Sequence, residues 1–318
     1  MDIVLVLAGL AALIAGGELL VRGAVALARR FGVSPMIIGL TFVGFGTSTP
    51  ELVTSLQAAL TGAPDIALGN VVGSNIGNIL LILGLAALVR PMQVCPAALR
   101  RDGGALALAT GLAVLAMLGG ALGRGSGAAG LTLLVAYLAV TIWQERRSAT
   151  AAGAVYEAEA ETLGPLDRPG LALPVMALGL GLTLAGAKLL VAGAVGLAAA
   201  AGLSEAVIGL TVVAIGTSMP ELVTSLMAAR RGESGVAIGN VIGSNIFNLL
   251  GILGVTALVQ PLEVAGRIAG FDVWVMLAAT AGLIVVAWTG GRITRAEGGG
   301  LVAGYGVYLT ALLLSAAA

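Results

Sequence analysis

The chain has 318 residues, 58% of them hydrophobic and 10% charged, with 49 glycines and a formal net charge of zero. A water-soluble domain of this size needs far more charge on its surface, so the composition points to an integral membrane protein, and neither a basic patch for nucleic acid nor an acidic tail is in evidence. Histidine is absent, which removes the usual near-neutral proton carrier and the commonest transition-metal ligand, and the single Cys95, between Pro91 and Pro96, has no partner for a disulfide.

Apolar runs between charge clusters match the roughly 20 residues that a helix needs to cross a ~30 Å hydrocarbon core. They show no alternation of the outer-membrane-barrel kind. Taken in order, they predict ten spans at 3–29, 33–60, 66–89, 104–122, 127–145, 171–198, 203–229, 236–259, 270–289 and 300–317. The first segment lacks a basic n-region and a convincing cleavage site, so it reads as a helix rather than a signal peptide. The expected fold is an all-α integral membrane protein, with a first five-helix half over 1–145, a cytoplasmic linker over 146–170 and a second five-helix half over 171–318. The linker holds Glu157, Glu159 and Glu161, has no calcium-loop pattern, and reads as a solvated connection.

Charge placement sets the orientation. With the amino terminus outside, the inner loops collect Arg29, Arg30, Arg90, Arg100, Arg101, Arg146, Arg147, Arg168, Arg230, Arg231, Arg292 and Arg295, while the outer loops hold only Arg124 and Arg267. Such a bias puts both termini outside. Five spans per half, an odd number, then invert the second half relative to the first.

The two halves also share sequence. Residues 39–84 return as 209–254 at a constant offset of 170, with 30 of 46 positions identical and nearly every polar residue kept. An apolar stretch that repeats its polar residues in order is the signature of a duplicated transporter. Within each copy, GTSTPE at 46–51 and GTSMPE at 216–221 fall near mid-span, where glycine and proline interrupt a helix and free carbonyls. In a bilayer, freed carbonyls are tolerated where they line a cavity or hold an ion.

Glu51 and Glu221 follow those breaks directly. A charged carboxylate at mid-membrane costs about 2.5–3.5 kcal/mol even on a lenient scale, and no basic residue lies at matching depth in either copy, so a bound cation is the natural partner. The alternative is a pair of protonated carboxyls joining helices. In the next span, Asn70, Ser74 and Asn78 recur every four residues, as do Asn240, Ser244 and Asn248, giving each helix one polar stripe. Two carboxylates plus freed carbonyls near Thr47 and Thr217 supply up to six oxygens, within the calcium range, and the all-oxygen set favours a hard cation over zinc or copper. Glu18 and Arg22 form an i, i+4 pair in the first span, and Lys188, the counterpart of Glu18, is expected to pair with it or to reach for the interface.

At GTSTPE with GNVVGSN (69–75), and at GTSMPE with GNVIGSN (239–245), the sequence resembles the sodium/calcium exchangers, in the prokaryotic branch of the cation/calcium exchanger superfamily. The resemblance extends over essentially the whole chain. It implies ten helices in two inverted repeats and a secondary active antiporter of a prokaryotic inner membrane that exports Ca2+ in exchange for Na+ by alternating access. No enzymatic activity, cofactor or protein partner is implied, only the two ions and the bilayer. By position, Glu51 and Glu221 would share calcium with the carbonyls of Thr47 and Thr217. Sodium would use these with Gly44, Ser48, Ser74 and Asn78, and with Ala214, Ser218, Ser244 and Asn248. Several relatives carry Asp where this chain has Asn248, so two carboxylates remain here, and potassium dependence is not expected. A proton/calcium antiporter on the same scaffold is a second reading, against which the hydroxyl-rich set and missing histidine weigh. An intramembrane hydrolase using the two glutamates as acid and base lacks an accompanying nucleophile.

Overall fold

Proline and glycine punctuate the chain into helices. Pro35, Pro50, Pro64, Pro96 and Pro220 stand at the first or second position of a helix, where the missing N–H has no partner to lose. Gly232, at φ +85°, ends another in the left-handed conformation that other residues avoid. A computed structural model describes residues 1–31, 33–148, 170–200 and 214–317. Its helices are α1 (Asp2–Phe31), α2 (Pro35–Thr47), α3 (Thr49–Leu60), α4 (Pro64–Val89), α5 (Pro96–Leu118) and α6 (Arg124–Ser148). They continue as α7 (Ala172–Ala200), α8 (Met219–Arg231, after a single turn Ala214–Thr217), α9 (Ser234–Val259), α10 (Ile268–Gly291) and α11 (Arg295–Ala317).

Among the described residues, seven helices are long and apolar enough to cross a membrane, and α2 with α3, bent by 43°, are so only when counted together as one. The expected span 33–60 is that bent pair. Of 203–229 only the part from Ala214 is described, and 300–317 falls on α11. The expected 104–122 needs correction: the helix starts earlier, at Pro96, and stops at Leu118, because Gly119 and Gly120 (φ +84°) turn the chain into a short strand. Most of the expected linker, 149–169, lies outside the described residues, and α6 runs on to Ser148.

Four two-residue strands, unforeseen from the sequence, tie the halves together: β1 (Met92–Gln93), β2 (Ala121–Leu122), β3 (Leu262–Glu263) and β4 (Arg292–Ile293). β1 pairs antiparallel with β4, Met92 opposite Ile293, and β2 with β3, Leu122 opposite Leu262. Short pairings of this kind satisfy backbone groups where helices turn back.

Burial sorts the helices into layers. In their most apolar windows, 67% of α4 and 83% of α9 are buried, against 28% for α1 and for α7, so α4 and α9 form the centre and α1 with α7 lie at the periphery. α9 presses on α2 through small residues: a Cβ on Gly239 would stand 2.6 Å from the Met36 carbonyl oxygen, and one on Gly243 would collide with the Leu40 backbone. α1 and α7 meet along a glycine seam. Gly9, Gly16 and Gly23 on one helix, and Gly179, Gly186 and Gly193 on the other, each leave room for the opposing backbone and no room for a methyl group. Without a hydrophobic force between helices in lipid, such close approach is what holds a pair together. Two buried carboxylates clamp neighbouring helices: Asp102 takes Arg101 (2.7 Å) and the Tyr137 hydroxyl (3.0 Å), and Asp272 takes the Tyr308 hydroxyl (3.0 Å).

Candidate ion-binding site

Two helix breaks build the site. Ser48 (φ −81°, ψ 9°) and Ser218 (φ −88°, ψ 8°) leave helical geometry, and two residues later Pro50 and Pro220 bring no N–H, so the carbonyls of Gly46 and Gly216 lack their usual helical donor. Glu51 and Glu221 then occupy the first turns of α3 and α8, where the helix dipole favours negative charge. A second distortion lies opposite. α4 widens to a π turn at Asn78–Leu83 and α9 at Phe247–Ile252, so both expected asparagine ligands fall on irregular backbone, a common trait of functional positions.

The breaks bring the two repeats into contact crosswise. Ser48, three residues before Glu51, donates to Oε1 of Glu221 at 2.9 Å, and Ser218, three before Glu221, donates to Oε1 of Glu51 at 3.2 Å. Both glutamates are buried, at 1% exposure. Among the described residues no lysine or arginine pairs with either, and Oε2 of each has no hydrogen-bond partner. Unpaired carboxylate oxygens in a buried setting are costly, and a cation is the ligand that compensates for both.

The other expected residues divide. Ser244 donates to the Gly44 carbonyl at 3.1 Å, joining two of them. The Thr47 hydroxyl lies within donating distance of the Val43 carbonyl (3.0 Å), the Gly44 carbonyl (3.2 Å) and Asn240 Oδ1 (3.2 Å), any one of which its single proton can serve. Thr217 closes the turn that Ala214 opens. Ser74 is buried and makes no hydrogen bond among the described residues, so the Ser244–Gly44 link has no Ser74–Ala214 counterpart. Asn78 bonds to Asn245 at 3.0 Å rather than to a glutamate, and Asn248 is buried with neither end of its amide partnered among the described residues.

Four further residues belong to the site: Asn70 and Asn240, read from the sequence only as members of the polar stripes, and Asn75 and Asn245, which that reading did not single out. Asn70 bonds the Glu51 carbonyl (3.1 Å) and Ser55 (2.9 Å), and Asn240 bonds the Glu221 carbonyl (3.2 Å) and Ser225 (2.9 Å), so these asparagines brace the broken helices rather than extend a ligand stripe. Asn75 and Asn245, the last letters of the two GSN runs, cross-link α4 and α9. Their repetition at the 170-residue offset was the available signal. Away from the site, Glu18 pairs with Arg22 at 2.8 Å as expected, but its second partner is Arg231 in the last turn of α8. Lys188 is exposed and makes no ion pair among the described residues, so of its two expected roles the pairing with Glu18 is not seen.

Among the described residues no three acidic, histidine or cysteine side chains cluster. Two carboxylates surrounded by hydroxyls, amides and freed carbonyls suit a hard cation that must also leave, as cargo does and a structural metal does not. The architecture is that of a multi-pass membrane transporter, not an enzyme. This chain belongs to the sodium/calcium exchanger family, whose model, described as "Sodium/calcium exchanger protein", matches residues 1–144 and 171–314. It is 41% identical to the putative antiporter CaxA of Alkalimonas amylolytica over 93% of both chains, and 39% identical to the inner membrane protein YrbG of Escherichia coli over 89% of this chain and 88% of that one. The fold superposes with a TM-score of 0.84 on the sodium-calcium exchanger NCX_Mj soaked with 2.5 mM Na+ and 0.1 mM Ca2+, at 33% identity and 98% coverage of each chain.

Proposed function

We propose that this chain exports Ca2+ in exchange for Na+ across a prokaryotic inner membrane, by alternating access around a site shared by its two halves, 1–145 and 171–318. The observation that carries the reading is the crossed pair of serine–glutamate hydrogen bonds, each leaving one buried carboxylate oxygen unpartnered among the described residues. Glu51 and Glu221, with the carbonyls of Thr47 and Thr217, hold calcium. Sodium uses these together with Gly44, Ala214, Ser48, Ser218, Ser74, Ser244, Asn78 and Asn248. Support for the inner membrane comes from the similarity to YrbG.

The ten spans form two inverted repeats with both termini outside. Strand pairing supports the inversion. β3 is the counterpart of β1 at the 170-residue offset, yet it pairs with β2, which the single helix α5 separates from β1. Equivalent turns therefore fall at opposite ends of the helices.

Two ionised glutamates balance one Ca2+, whereas three Na+ exceed them by one charge. With three sodium ions per calcium, each cycle carries one net charge inward, and at about 2.3 kcal/mol per charge per 100 mV a negative interior assists export. Potassium is not required, since Asn248 replaces an acid. Proteoliposomes holding the purified chain test this with calcium-45, with sodium and proton gradients imposed separately and the potential clamped without potassium. Sodium-driven, voltage-assisted flux is expected. Flux driven by a proton gradient alone, or dependent on potassium, refutes it.

A further inference from the structure

An asparagine amide has one acceptor end and one donor end, so a buried asparagine offers oxygen to a cation only if its NH2 is engaged elsewhere. Asn78 meets that condition through Asn245. The Asn245 NH2 donates to the Asn75 carbonyl (3.4 Å), which leaves Asn245 Oδ1 as the end facing Asn78, and that oxygen accepts the Asn78 NH2 at 3.0 Å. The remaining end of Asn78, Oδ1, has no hydrogen-bond partner among the described residues. A backbone carbonyl thus sets one amide, which sets the next.

The equivalent residues in the other half are arranged differently. Asn75 donates to Val71 of its own helix at 2.8 Å, and among the described residues its Oδ1 is unpartnered and Asn248 is unpartnered at both ends. All four asparagines are at most 1% exposed. Asn75 is the counterpart of Asn245, and Asn248 that of Asn78, at the offset of 170.

We propose that Asn245 and Asn75 are positioning residues that fix the amide polarity of Asn78 and Asn248, Asn245 engaged in the arrangement seen here and Asn75 engaged when its amide leaves Val71 and turns to Asn248. The proposal rests on the reading of Asn78 and Asn248 as cation ligands. It makes the two halves alternate in which amide is preset, as inverted repeats do when they exchange roles.

A double-mutant cycle separates positioning from packing. An aspartate at 78 has oxygen at both ends and no polarity to set, but beside an intact Asn245 its second oxygen meets Oδ1 of Asn245. Asn245→Leu and Asn78→Asp are therefore each expected to weaken cation binding about tenfold or more, while the double variant binds within about threefold of the parent, a coupling that independent effects do not give. Binding is read on purified protein as the concentration of Na+, Ca2+ or Mn2+ that raises the unfolding temperature, with Asn245→Ala carried in parallel should the leucine variant not purify as a single species. The matching cycle, Asn75→Leu with Asn248→Asp, reports the other half. Additive losses in the first cycle overturn the proposal for Asn245, and in the second for Asn75. A parent whose unfolding temperature responds to no cation overturns the ligand reading itself, and the proposal with it, an outcome distinct from a responsive parent with additive variants.

Discussion

Glu51→Gln removes one charge while keeping the shape of the side chain. Oε1 of Glu51, which accepts from Ser218 at 3.2 Å, becomes an amide oxygen that accepts equally well, and the new NH2 falls on Oε2, an atom with no hydrogen-bond partner to lose among the described residues. Folding is therefore retained. A bound Ca2+ is then opposed by one carboxylate instead of two, leaving a net positive charge in a fully buried setting. A mid-membrane charge costs about 2.5–3.5 kcal/mol on the insertion scale, and each 1.4 kcal/mol is a factor of ten, so calcium affinity should fall roughly a hundredfold. Two measurements on one preparation check this: the apo unfolding temperature, expected to be unchanged or raised, and the calcium concentration giving half-maximal calcium-45 flux in proteoliposomes, expected to rise about a hundredfold. Near-normal calcium dependence would refute the shared-carboxylate argument. A collapsed apo stability would instead show that the carboxylate holds the helices together.

The crossed hydrogen bonds predict an order of effects: Ser48→Ala removes a fully buried 2.9 Å bond to Glu221, worth about 1.5–3 kcal/mol, and Ser218→Ala a longer 3.2 Å bond from a half-buried serine, so half-maximal calcium should rise more for Ser48→Ala, and the reverse order would count against the geometry. The glycine seam predicts that Gly16→Ala, whose Cβ would lie 2.5 Å from the Thr183 nitrogen, costs about 1–3 kcal/mol relative to Gly111→Ala, which meets nothing within 4 Å among the described residues. Equal unfolding temperatures for these two variants would show that α1 and α7 separate at no cost.

The membrane class and the two glutamates were legible because apolar length and a buried carboxylate are local properties of the chain. Ser48 and Ser218 were legible as polar residues in a repeat, yet their crossing was not: nothing in one copy says that its serine serves the other copy's glutamate. The polar stripes of Asn70 and Asn240 were legible from i, i+4 spacing, but their partners were not, since it is the bends at Ser48 and Ser218 that carry the backbones of α3 and α8 within reach of Asn70 and Asn240 respectively. Arg231 looked like a loop charge, and only the placement of α8 against α1 reveals that it meets Glu18. The strands at 92–93 and 292–293 escaped notice because two residues are too few for any periodicity, and their pairing is decided by where the helices end.

The ladder of β1 and β4 has a consequence for how the chain is made. About 200 residues separate Gln93 from Arg292, and at roughly 5–20 residues per second the ribosome needs on the order of 10–40 s between them. Through that interval the β1 backbone stays unpaired, and in its earlier part the first half also lacks α7, the seam partner of α1, and then Asn245, the partner of Asn78. Unsatisfied backbone and exposed polar side chains are the features that a lipid environment tolerates least. Translation halted after α6, before α7 is made, should leave a fragment that membrane proteases clear quickly. Two half-chains synthesised together have every cross-half contact within reach, and co-expression is expected to protect each from degradation.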